Sequence, residues 1–141
     1  MKIVPIPVLS DNYAYLIIDE AKNEAGVVDP SEAGPVAEVV KREGVNFTTI
    51  INTHHHWDHV GGNKELVQEF LDLKVYGHKH DETRTPCITN MIDEGDTVQI
   101  GNLEARFLFV PCHTSGHIVA YFEAEKSMFT GDTLFIAGCG R

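Results

Sequence analysis

Lys2–Val8 and Tyr13–Asp19 are rich in β-branched and aromatic residues and flank the turn-forming run Ser10-Asp11-Asn12. That pattern predicts two strands joined by a turn. Ala25–Asp29 reads as a third short strand, stopped by Pro30. The period then changes. Val36, Ala37, Val39 and Val40 recur at helical spacing, with Ser31 or Gly34 as N-cap, Pro35 early and Gly44 placed to end the helix. Phe47–Asn52 is a compact apolar strand. Beyond it, Asn63 is placed to cap a second helix carrying Leu66, Val67, Phe70 and Leu71 on one face. Lys74–Gly77 predicts a short strand and His78–Asn90 a polar connection. Thr97–Ile100 and Leu103–Val110 predict a hairpin around Gly101-Asn102. After a loop at Pro111–Gly116, His117–Glu123 and Lys126–Thr130 read as two more strands, the last ending at Gly131-Asp132. No repeat, linker or low-complexity segment interrupts the series. Strands dominate and helices are interspersed, which predicts an α+β domain with helices packed on a two-sheet sandwich.

Composition narrows the function more than the fold. The chain has 141 residues, 43% hydrophobic and 23% charged, as expected of one globular domain. No apolar run approaches the ~20 residues that span a bilayer, and Met1–Ser10 lacks the form of a signal peptide, so a cytoplasmic protein without a membrane partner is expected. With 21 acidic and 11 basic residues, the net charge of −10 argues against a nucleic-acid partner. It still admits an anionic small substrate, because bound metal ions reverse the local field. Cys87, Cys112 and Cys139 suggest no disulfide framework and fit a reducing compartment; Cys112 and Cys139 read as small buried residues. Most of the eight histidines fall in two short clusters.

The first cluster is Thr53-His54-His55-His56-Trp57-Asp58-His59. His54, His56 and Asp58 alternate, so an extended segment would point them to one side, and His59 breaks the alternation where the chain turns into the next helix. Imidazole nitrogen and carboxylate oxygen are suitable ligands for zinc, iron or manganese. In the second cluster, Pro111–His117, His113 is the expected further ligand and His117 a hydrogen-bond partner behind the ligands. Asp132 has two carboxylate oxygens and is the natural connector between two cations. Two metals ~3.5–4 Å apart lower the pKa of a shared water and polarise the group under attack, so no serine or cysteine nucleophile is required. His55 points the other way and reads as a packing or hydrogen-bonding residue, Trp57 as a brace for the loop, and His78 and His80 as part of a solvated loop.

The run T-H-H-H-W-D-H-V-G-G-N resembles the H-x-H-x-D-H signature of the metallo-β-lactamase superfamily. V-L-S-D-N-Y-A-Y-L-I-I-D, P-C-H-T-S-G-H and T-G-D-T-L-F-I-A-G-C-G-R extend the likeness: the four motifs, in order over essentially the whole chain, resemble glyoxalase II, the hydroxyacylglutathione hydrolase family. The resemblance implies a metal-dependent thioester hydrolase that cleaves S-D-lactoylglutathione to D-lactate and glutathione by attack of a metal-bound hydroxide. It implies an αββα four-layer sandwich followed by a helical substrate domain, and two divalent ions, zinc or iron and in some members manganese. His54, His56 and His113 would hold the first ion, Asp58 and His59 the second, with Asp132 bridging, Asp58 also catalytic and Arg141 holding the glutathione moiety. The family's last histidine ligand and its helical domain lie beyond Arg141, so residues 1–141 are expected to be a partial domain, incomplete at its C-terminal end, with one ligand missing from the second site. Two other expectations compete: a one-iron persulfide dioxygenase relative, and an inactive or weakly active metal-binding domain.

Overall fold

The computed structural model describes residues 1–141 and contains ten strands in two sheets. The first sheet runs in chain order through β1 (Lys2–Val8), β2 (Asn12–Asp19), β3 (Glu24–Val28), β4 (Asn46–Ile51), β5 (Lys74–His78) and β6 (Asn90–Ile92). The second comprises β7 (Thr97–Ile100), β8 (Leu103–Phe109), β9 (Ile118–Phe122) and β10 (Ser127–Phe129), antiparallel throughout. β1 to β3 form an antiparallel meander, whereas β3 to β6 pair in parallel. Parallel neighbours need crossover connections. These carry α1 (Ala33–Glu43), between β3 and β4, and the short α2 (Trp57–Val60) and α3 (Asn63–Glu69), between β4 and β5.

Consecutive residues of the central strands are buried on opposite sides. Leu16 and Ile18 pack with Val36 and Val40 of α1 and Leu66 of α3, while Ile17 packs with Ile100, Phe107 and Phe122 of the second sheet. Val27/Val28 and Ile50/Ile51 divide the same way. Covering both faces of the first sheet explains why these strands are continuous apolar runs rather than alternating ones. The β7–β8 hairpin of the second sheet alternates: Val98, Ile100, Leu103, Ala105 and Phe107 point inward, and Gln99, Glu104 and Arg106 are exposed. The resulting order is helices, sheet, sheet. No helix is long and apolar enough to cross a membrane.

The predicted elements form, with local corrections. Gly44 ends α1 at φ 65°, its N–H donating to the carbonyls of Val40 and Lys41. The N-cap, however, is Glu32 in extended conformation, not Ser31 or Gly34, because the Ser31 hydroxyl is committed to the carbonyl of Asp58. Asn63 is the first residue inside α3 rather than its cap; it is fully buried, and its amide donates to Asn52 Oδ1 and the Pro86 carbonyl. Leu71 lies past the helix end and is exposed. β6 lies across the end of the expected polar connection, and only Ile92 of its three residues is buried. The β7–β8 hairpin pairs Ile100 with Leu103, and Gly101 supplies the positive φ of 60°.

Candidate metal centre

The parallel strands β3 and β4 end side by side, tied by Asp29 N–H to the Ile51 carbonyl at 3.0 Å. The loop before β9 joins the same edge through Ile118 N–H to the Thr53 carbonyl at 2.9 Å. The chain leaving β10 arrives there as well, with the Asp132 N–H donating to His117. Four segments distant in sequence therefore meet at one end of the sandwich.

Three ring nitrogens face one another there. His56 Nδ1 lies 3.0 Å from both His54 Nε2 and His113 Nε2. The carboxylate of Asp132 spans the group: Oδ1 is 3.2 Å from His59 Nε2 and Oδ2 is 3.4 Å from His113 Nε2. Asp58 Oδ2 is 3.6 Å from His59 Nε2. Two donor sets follow, His54/His56/His113 and His54/His59/Asp132, each with ligand atoms within 4.8 Å of one another. Metal–nitrogen bonds of about 2.0–2.1 Å in a tetrahedron place nitrogens roughly 3.3 Å apart, so the donors fit a first-row divalent cation. A cavity of about 870 Å³ opens beside His59 and Asp132, walled in part by Tyr13, Tyr15 and Phe129.

The far side of each donor is held. Asp29, 5% exposed, accepts from Thr53 N–H at 2.8 Å, from the Thr53 hydroxyl at 2.7 Å and from His59 Nδ1–H at 3.0 Å. The Thr53 oxygen then accepts from His54 Nδ1–H at 3.1 Å. These bonds fix the His54 tautomer so that its Nε2 lone pair points into the site, and orient the His59 ring so that its Nε2 faces the same point. His113 Nδ1 donates to the Arg141 carbonyl at 2.9 Å. The fully buried His117 accepts from Asp132 N–H at 3.1 Å and donates from Nδ1 to the Thr133 hydroxyl at 3.2 Å. Gly131 lets this loop close: at φ 49°, a Cβ there would lie 2.4 Å from Thr53 Oγ1 and 2.8 Å from His117 Nε2. Asn12 Nδ2 donates to the Asp58 carbonyl at 2.8 Å and to Oδ2 at 3.2 Å.

Burial and the surrounding imidazoles hold His54 well below the usual histidine range, and burial lowers His56 and His117 too. His59 behaves oppositely. Burial disfavours its charge, yet Asp29, Asp132 and Asp58 together push it up to about 9. The surroundings thus favour a protonated His59 at neutral pH and the neutral form of His54, His56 and His117.

His54, His56, Asp58, His59, His113 and Asp132 are brought together, and His117 stands behind them as expected. Asp58 arrives from the helical turn α2, not from a continued extended segment. Arg141 meets the cluster through its main-chain oxygen, with its side chain exposed. His55 points away and bonds Asp81 Oδ1 at 3.1 Å. Trp57 is 71% exposed, so it does not brace the loop by burial. Cys112 and Cys139 are exposed, not buried. His80 is exposed, but His78 is fully buried at the end of β5, stacked on Phe109 with centroids 4.1 Å apart, because Phe109 covers it from the neighbouring sheet. Asp29, Thr53, Asn12 and Asp81 escaped sequence reasoning. Only Asp29 carried a signal, an acidic residue at a strand end immediately before proline.

Residues 9–141 match the model of the metallo-beta-lactamase superfamily. The chain is 48% identical over 141 residues to a protein of Pelagibacter ubique (strain HTCC1062) named hydroxyacylglutathione hydrolase, covering all of this chain and 59% of that protein. It spans about half to three-fifths of the length of the curated relatives it matches. Among solved structures, the BLEG-1 B3 metallo-beta-lactamase shares the fold at a TM-score of 0.90 and 24% identity, over 99% of this chain and 76% of that one. A di-iron-bound form of TTHA1623 matches at a TM-score of 0.84 and 27% identity, over 98% and 76% of the two chains. With four segments delivering clustered histidines and carboxylates to one end of this sandwich, the chain belongs to the metallo-beta-lactamase superfamily, membership of which implies a divalent-metal site.

Proposed function

We propose that residues 1–141 form the metal-binding domain of a hydroxyacylglutathione hydrolase, which cleaves S-D-lactoylglutathione to D-lactate and glutathione. His54, His56 and His113 would hold one divalent ion and Asp58 and His59 a second, zinc or iron, with Asp132 between them and Arg141 on the glutathione side. The observation that carries this reading is the carboxylate of Asp132, whose two oxygens face His59 and His113 separately. The 48% identity to a relative of that name supports the substrate class.

When bound, the metal ions acidify a water and polarise the thioester carbonyl. The chain's own residues supply orientation and proton handling. Asp29 and Thr53 fix the His54 and His59 rings, His117 fixes the Asp132 backbone, and Asn12 holds Asp58. Of the two central carboxylates, Asp58 is the more open, at 33% side-chain exposure against 23% for Asp132. It is therefore the one placed to take the proton released by an attacking water.

The test is elemental analysis of the purified 141-residue chain alongside loss of thioester absorbance from S-D-lactoylglutathione. Two metals per chain with turnover that His54→Ala abolishes is the expected result. Folded, metal-loaded protein without hydrolysis under any loading overturns the activity for this chain. One metal without turnover would indicate a metal-binding domain only; one iron with oxygen uptake on glutathione persulfide would indicate the dioxygenase.

A further inference from the structure

The 3₁₀ turn Lys79–Asp81 follows β5 and contributes no donor to the cluster, yet one of its side chains touches both ligand-bearing loops. Asp81 is 1% exposed. Its Oδ1 accepts from His55 Nδ1–H at 3.1 Å, in the middle of the first ligand run, and from Arg84 at 2.7 Å. The same Arg84 nitrogen donates to Ser115 Oγ at 2.9 Å, two residues past His113. The carboxylate also seats directly on Gly116, where a Cβ would lie 2.4 Å from Oδ1. His80, on the same turn, reaches the Ser115 carbonyl at 3.2 Å. Asp81 Oδ2 is buried and has no hydrogen-bond partner. A buried carboxylate is costly unless it is paired, and the partners of this one lie on both ligand-bearing loops and on Arg84.

We infer that Asp81 and Arg84 are positioning residues that clasp the His54–His59 run to the Cys112–His117 loop and so set His56 against His113. The inference rests on the metal-site reading above. His56 Nδ1 and His113 Nε2 stand 3.0 Å apart although they come from loops 57 residues apart in sequence. Among the contacts binding those loops, the clasp is the one that grips His55, between His54 and His56, and Ser115, two residues past His113. Releasing it frees each loop to move by the few tenths of an ångström that separate a good ligand set from a poor one. Partners that orient ligands from behind typically change metal affinity 10–100-fold when lost.

The experiment titrates cobalt(II) into the metal-free full chain, reading affinity by chelator competition and geometry by visible absorption. Asp81→Asn keeps the shape and removes the charge. Arg84→Gln, at a partly exposed side chain, leaves the buried carboxylate in place and removes the link to Ser115, so it reports on the clasp should the first variant fold poorly. Both are expected to weaken cobalt binding tenfold or more and to alter the absorption bands, at temperatures where circular dichroism shows each variant folded. A His55→Ala/Ser115→Ala double-mutant cycle should be non-additive in affinity, because both ends act through the same Asp81–Arg84 pair. A lower melting temperature with unchanged cobalt affinity and spectrum in both variants would mean a merely structural role and would overturn the inference. Wild-type protein that binds no cobalt would instead refute the metal-site reading.

Discussion

Asp29 is the residue whose replacement should change the domain most informatively. It is buried, sits at φ 50°, and accepts three hydrogen bonds from Thr53 and His59. Asp29→Asn preserves volume and tolerates the left-handed backbone, since asparagine visits that region readily. It leaves one acceptor where there were two and removes the charge facing His59. Losing charge-assisted bonds in a buried setting should cost about 3 kcal/mol in the metal-free protein.

The pH dependence separates this cause from a packing defect. His59 has a folded pKa of about 9 against its ordinary 6.5, so between those values the folded state holds a proton that the unfolded state has released. The stabilisation is complete below 6.5 and is lost as pH rises through about 9, an effect of about 3 kcal/mol at 1.36 kcal/mol per pH unit. Below 6.5 the sign reverses for His54 and His117, whose folded pKa values are depressed, so stability falls as the pH drops. The comparison therefore belongs in the alkaline window. Urea unfolding in the presence of a chelator, at about pH 6.5 and about pH 9.5, should show the wild type losing stability and Asp29→Asn losing little, because burial then dominates at His59. Parallel losses in the two proteins would refute the assignment of Asp29 as the source of the His59 shift.

Three more outcomes follow from the geometry. Asp132→Ala removes the only carboxylate that faces both His59 and His113, and should lower the metal content per chain, read by elemental analysis. Gly131→Ala places a methyl against Thr53 and His117 at positive φ; it should destabilise by about 2–3 kcal/mol in thermal unfolding, and a change below about 0.5 would contradict the close approach. Metal binding requires His59 neutral, so calorimetry at about pH 7 in buffers of different ionisation enthalpy should detect about one proton released per chain, and His59→Gln should release about one fewer.

The parts of this fold that can be read from the sequence are those whose physics is local. Leu16-Ile17-Ile18 and Ile50-Ile51 announce central strands because both faces are buried, and Gly44 announces a helix end because its backbone needs positive φ. β6 does not announce itself: two of its three residues are exposed, and its existence depends on the edge that β5 offers. Ser31 has the right chemistry for a cap and is not one, since the Asp58 carbonyl 27 residues away takes its hydroxyl. His78 reads as solvated among polar neighbours, and only Phe109, remote in sequence, buries it. The donor residues are visible because few side chains can ligate a metal and four of the six fall within His54–His59. Their anchors are invisible for the converse reason: Asp29 is one of 21 acidic residues, and its partner Thr53 lies 24 positions on.

That asymmetry bears on how the centre is held before any ion arrives. Asp29, Asp58 and Asp132 surround His59, and its protonated ring is the one positive charge among them at neutral pH. Three carboxylates against one imidazolium leave a negative field at the mouth, in a chain whose net charge is −10, and such a field draws divalent cations toward the cluster. The proton on His59 meanwhile limits carboxylate repulsion and keeps the ring bonded to Asp29, so the donors remain in place. A cation that displaces it takes over the same electrostatic role with greater charge. On this account His59→Gln should harm the metal-free protein as well as the loaded one, whereas His56→Gln, at a ring held neutral by burial and by His113, should harm only metal binding. Equal loss of metal-free stability in the two variants, measured by urea unfolding in chelator, would show that the proton on His59 has no such role.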